Sequence, residues 1–98
     1  MTEDRAKLDA SEDRWTVSGS LTMDSASALL RTSAARALPD AGIVDLAGVD
    51  RVDSAGVAVL LAWKRRTAAE AKPLVFAGVP QSLASLAQLY GVEELLVR

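Results

Sequence analysis

The sequence predicts a single α/β domain over residues 1–98, with elements in the order β-β-α-β-α-β-α and largely parallel strands after the first pair. Two observations carry that prediction. After an opening hairpin, short strand-like runs alternate with longer segments of helical period, the rhythm of parallel strands joined by right-handed crossovers. The chain has 98 residues, and a domain of that size buries roughly 65% of its unfolded surface, enough for one core without metals or disulfides. Hydrophobic residues make up 50% but aromatics only 4%, so that core must be built mainly from Leu, Val and Ala.

Each element has its own signal. Residues 5–9 and 14–18 read as two short strands joined by a turn at Ser11-Glu12-Asp13. The second, Arg14-Trp15-Thr16-Val17-Ser18, alternates polar and apolar residues, and Gly19 is expected to end the pair. From Asp24 to Leu38 the period becomes helical: Ala26, Leu29, Leu30, Ala34, Ala37 and Leu38 recur at steps of three and four. Thr22 or Asp24 can cap the start, and Pro39, Asp40 and Gly42 stop the helix. Ile43-Val44-Asp45-Leu46 is a third strand, short and mostly apolar, as a buried central strand should be. Val49 to Ser54 reads as a loop and Ala55 to Ala71 as a second helix. Pro73 to Ala77 is a fourth strand. Pro80 opens a last helix with a buried stripe of Leu83, Leu86, Ala87 and Tyr90, and Gly91 is its left-handed stop. Val92 to Val97 fits either a turn of helix or an edge strand.

Composition narrows the function. The net charge is -2, and the one basic run is Lys64-Arg65-Arg66, which reads as a solvated helix end. Nucleic acid is therefore not expected as a partner. No apolar run approaches the ~20 residues of a membrane span, and the charged start Met1-Thr2-Glu3-Asp4-Arg5 has no signal core after it. The chain is read as cytoplasmic, without direct membrane insertion. It lacks Cys, so no disulfide framework exists.

The stretch Val49 to Leu61 holds most of the functional information. Ser54 stands where a helix N-cap is expected, and Gly56 lets another backbone approach the first turn. Asp45, Asp50 and Asp53 are carboxylates near this turn, but they lack the His, Cys or regular oxygen spacing of a metal site. The chain has no His to activate Ser54 and no GxxxxGK phosphate loop. No enzyme activity, cofactor or metal is expected. The helix that follows is apolar on two sides. Val57, Leu60, Leu61 and Ala68 form one stripe; Val59, Ala62 and Trp63 extend it. One side should meet the sheet, and the other is available for a partner, with Trp63 as an anchor candidate or a core residue.

Val44-Asp45-Leu46 followed by Val52-Asp53-Ser54-Ala55-Gly56-Val57 resembles the STAS domain family, in which a strand ending in Asp-Leu leads through a short loop to Asp-Ser-(Ser/Ala)-Gly at the head of an apolar helix. The resemblance covers nearly the whole chain. It implies a STAS-like fold, a four- to five-stranded mixed sheet with three to four helices mainly on one face, and a binding role without catalysis. The ending Pro80 to Leu96 is similar to the MlaB-like branch, small subunits of an inner-membrane ABC phospholipid transporter that maintains outer-membrane lipid asymmetry. That branch implies an ABC ATPase subunit as partner, contacted at Ser54. Arg51, Asp53, Ala55, Gly56, Val59 and Trp63 are the further candidate contacts, and the chain would lie on the inner face of the inner membrane. The alternative branch is the anti-sigma factor antagonists, which implies an anti-sigma factor kinase as partner and phosphorylation of Ser54. A nucleotide- or lipid-binding module, with phosphate held at the helix amino terminus, is a third class.

Overall fold

A computed structural model describes residues 6–11 and 13–94. The elements run β1 (Lys7–Ala10), β2 (Arg14–Leu21), α1 (Met23–Ala34), β3 (Ile43–Val52), α2 (Ser54–Glu70), β4 (Val75–Ala77) and α3 (Gln81–Leu89). The four strands form one mixed sheet in the order β1-β2-β3-β4, with β1 antiparallel to β2 and the other neighbours parallel. The α/β expectation, with its opening hairpin, holds. Glu93 and Glu94 are helical, and Val92 before them is half-buried; residues 95–97 of the 92–97 segment, like Arg5 at the start of the first expected strand, lie outside the described residues.

The side chains explain the layering. Trp15, Val17, Leu21, Val44, Leu46, Val49 and Phe76 on the strands are buried together with Leu29, Val57, Leu60 and Leu83 on the helices. The alternate strand residues Arg14, Thr16, Ile43, Asp45 and Val75 keep some exposure, so the helices cover one face of the sheet. α2 is the middle helix, packed between α1 and α3. That position accounts for its two apolar sides: its second side meets neighbouring helices. Val59 is 0% and Trp63 2% exposed. Both are closed to a partner, which corrects the expectation that they are docking contacts.

Trp63 is held on two sides. Its Nε1–H donates to Ser33 Oγ of α1 at 2.9 Å, and its ring meets Trp15 edge to face at 5.4 Å between centroids. Such aromatic pairs contribute about 0.5–1.5 kcal/mol beyond their buried area. The basic run is structural as well. Arg66 reaches across to α1 and donates to the carbonyls of Ser33 at 3.0 Å and Arg36 at 2.6 Å. The Ser33 carbonyl, which also accepts the Arg36 N–H at 3.0 Å, and the Arg36 carbonyl lie at the carboxyl-terminal end of α1 and just beyond it, where a cation is favoured. Lys64 Nζ donates to the Leu74 carbonyl at 2.8 Å and lies over the Phe76 ring; burial holds its pKa below the ordinary lysine value. Of the three only Arg65 is exposed, the other two being half-buried, so the solvated-end reading fits one residue of three.

β3 is the largest departure from expectation. It runs on through Val52, where the sequence suggested a loop from Val49. The reason is visible in the register. Thr16 pairs with Asp45 but Ser18 pairs with Gly48, and Gly19 pairs with Val49 but Ser20 with Arg51. An extra residue on β3 at each place makes a bulge, and the core-facing step changes from two to three between Leu46 and Val49. A strict alternation test therefore ends the strand at Leu46. β2 likewise continues past Gly19 to Leu21 because β3 supplies a partner. At the other end of the chain, Tyr90 is 50% exposed and outside the buried stripe, while Gly91 adopts the expected left-handed turn, with φ 72°.

Trp63→Ala is expected to destabilise the domain by about 3–5 kcal/mol, as truncation of a buried aromatic does. Urea unfolding followed by circular dichroism measures it. Ser33→Ala should cost about 1–3 kcal/mol by leaving the indole N–H unpaired.

Candidate functional site

The end of β3 delivers Asp53 to the head of α2 in an extended conformation, φ -138° and ψ -169°. Its Oδ1 accepts the N–H of Ala55 at 2.8 Å and of Gly56 at 3.3 Å. Its Oδ2 accepts the N–H of Met23, the first residue of α1, at 2.9 Å. One carboxylate therefore serves the amino termini of two helices. A carboxylate has two oxygens and about four acceptor positions, and negative charge is favoured at both helix heads. A serine hydroxyl has neither property. The N-cap of α2 is thus Asp53 rather than Ser54, which corrects the sequence expectation.

Ser54 then becomes the first residue of α2, with its side chain exposed. Its hydroxyl takes no part in the cap and is presented to the outside. The head of α1 is built separately. Thr22 is its N-cap, and the Ser25 hydroxyl accepts the Thr22 N–H at 3.2 Å while reaching the Ser20 carbonyl at 2.6 Å.

Gly56 fixes how closely α2 approaches the sheet. It is buried, and a Cβ there would overlap the Leu21 carbonyl oxygen at the end of β2. That carbonyl also accepts the Asp53 N–H at 3.3 Å. The ends of β2 and β3 and the first turn of α2 meet at this point, and only a residue without a side chain fits.

Of the residues singled out from sequence, Arg51, Asp53, Ser54, Ala55 and Gly56 come together around the turn. Arg51 and Ser54 are exposed, Asp53 and Ala55 half-buried, and Gly56 sits beneath them. Along α2 the outward strip continues from Ser54 through exposed Ala58, half-buried Leu61 and Ala62, and exposed Arg65. Met23 was not singled out from sequence. It is 75% exposed and is tied to Asp53 through its N–H, so it flanks the turn. No sequence signal pointed to it, because the juxtaposition spans thirty residues of chain.

The three carboxylates do not converge on a common ligand. Asp45 accepts the Ala47 N–H at 2.9 Å and lies 3.6 Å from Arg14. Asp50 is exposed, and Asp53 is occupied by amides. Among the described residues no group of three His, Cys, Asp or Glu side chains could hold a metal ion. The amides of Ala55 and Gly56, which a phosphate at this helix head would use, already bond to Asp53. The arrangement is suited to presenting a surface.

A model of the MlaB STAS-domain family matches residues 5–98. The chain belongs to this family. No curated protein is a significant match to it. The STAS domain so defined covers the sheet, the three helices and the Asp53-Ser54 turn together. STAS domains commonly mediate protein–protein interactions, and the exposed serine at the head of the middle helix accords with that use. Among the described residues no helix is long and apolar enough to cross a membrane.

Asp53→Ala should lose about 1–2 kcal/mol of stability through the missing cap, and the N–H exchange of Met23, Ala55 and Gly56 should quicken together in hydrogen exchange. Gly56→Ala should be destabilising by about 1–3 kcal/mol, since the methyl group forces α2 away from Leu21.

Proposed function

We propose that this STAS domain is a non-catalytic subunit that binds and stabilises the ATPase of an inner-membrane ABC phospholipid transporter. It would act from the cytoplasmic face and contact the ATPase rather than the lipid. The observation that carries the reading is Ser54. Its hydroxyl is exposed on a turn whose backbone is held by Asp53 and Gly56, at the start of an outward strip of small and half-buried apolar residues. A short neutral side chain on a rigid helix head suits close approach by another protein, and little conformational entropy is lost when such a surface is covered.

The absence of catalysis belongs to the same proposal. The chain has no His, and the carboxylates of Asp45 and Asp53 are bound to backbone amides. Activation of the hydroxyl as a nucleophile needs a base within hydrogen-bond reach.

The test is co-purification with a tagged ATPase subunit, together with two substitutions. Ser54→Ala should leave stability within about 0.5 kcal/mol, as an exposed residue outside the cap does, and should retain binding. Ser54→Arg should fold normally and lose binding at least about tenfold, because a bulky cation at the contact centre cannot be desolvated cheaply. Unchanged ATPase binding by Ser54→Arg would remove Ser54 from the interface. Elution of the wild type apart from a folded, active ATPase would remove the transporter reading itself.

A further inference from the structure

β1 is the first strand of the sheet, and its outer edge carries no backbone partner among the described residues. The direction of its free groups follows from the hairpin. The Ser11 N–H donates to the Arg14 carbonyl at 3.0 Å, so these two residues form a hydrogen-bonded pair. In an antiparallel ladder such pairs alternate with non-bonded ones. Asp9 opposite Thr16 and Lys7 opposite Ser18 therefore bond inward to β2. Leu8 and Ala10, and Ala6 just ahead of the strand, direct their N–H and C=O outward. The side chains divide the same way: Leu8 and Ala10 pack against the core, and Lys7 and Asp9 are exposed.

We propose that this edge pairs with the same edge of a second copy, antiparallel and centred on Leu8. An unpaired edge is a template for another strand, and a two-fold axis makes the contact self-complementary. The free groups lie on even-numbered residues, so three symmetric registers bring at least two of Ala6, Leu8 and Ala10 into pairs with one another. Centring on residue 7 sets Lys7 against Lys7 of the other copy. Centring on residue 9 sets Asp9 against Asp9. Centring on Leu8 sets Lys7 opposite Asp9 twice, at non-hydrogen-bonded positions where opposing side chains approach most closely. That register also pairs Leu8 with Leu8, and Ala6 with Ala10, through the free backbone groups. Charge thus selects one of three backbone-compatible arrangements. The edge is separated from the Ser54 turn by β2, so the dimer does not depend on the docking function proposed above.

Sedimentation velocity of the full chain over a concentration series tests this. The wild type should show a monomer–dimer equilibrium that weakens as salt screens the paired charges. Lys7→Asp and Asp9→Lys should each reduce association about tenfold or more, because symmetry turns two attractive pairs into two repulsive ones. The double variant Lys7→Asp with Asp9→Lys should regain it. Circular dichroism should be alike for all four proteins, since both residues are exposed. A wild type that stays monomeric up to its solubility limit overturns the proposal. So does a dimer that neither single reversal weakens.

Discussion

The head of this domain depends on a single carboxylate. Asp53 takes amides from two helices, one of which begins thirty positions before it in sequence, and its own N–H is bound to the end of β2. Three elements are thereby set relative to one another at one point. The absence of a side chain at Gly56 lets the middle helix come close enough for those bonds to form. Neither feature suffices alone: a carboxylate without close approach would leave α1 out of reach, and close approach without an acceptor would bury helix amides unpaired, at a cost of about 1–3 kcal/mol each.

The same helix pair is tied at its other end. Arg66 of α2 donates to the Ser33 carbonyl near the end of α1 and to the Arg36 carbonyl just past it, as Asp53 accepts from the first amide of α1. Between them Trp63 bonds to Ser33 and stands edge-on to Trp15. Each tie places the charge sign that the helix end favours, negative at the amino terminus and positive at the carboxyl terminus. In a core with few aromatics, two of them are spent on this one junction. Helices α1 and α2 consequently form one stiff unit on the sheet.

That stiffness bears on function. Because the cap is made by the preceding residue, the Ser54 hydroxyl is free of structural duty and can face a partner without loss to the fold. The outward strip on α2 is short-chained near Ser54, and Met23 on α1 flanks it. Under the function proposed above, a docking surface composed of two helices held by one carboxylate would keep its shape before a partner arrives, which is where an interaction domain gains affinity without a large apolar patch.

Much of this was legible in the chain. The α/β class, the hairpin, three helices and four strands follow from period and turn residues, because those signals are local. The Asp-Ser-Ala-Gly turn stood out at the head of the second helix for the same reason. The identity of the cap was not legible: Asp53 and Ser54 are both good cap residues, and the choice rests on Met23 arriving from a distant segment to use the second oxygen. The length of β3 was hidden because bulges break its alternation, and only pairing with β2 sustains the strand. The fate of Trp63 and Val59 was undecidable from periodicity, since a helix apolar on two sides is equally consistent with a partner and with a place between two other helices. The sequence by itself determined which segments are strands and helices and where the conspicuous turn lies. Only the tertiary structure decided which side chains hold that turn and which one is left to face outward, because hydrogen bonds and packing between distant segments cannot be read from neighbours in the chain.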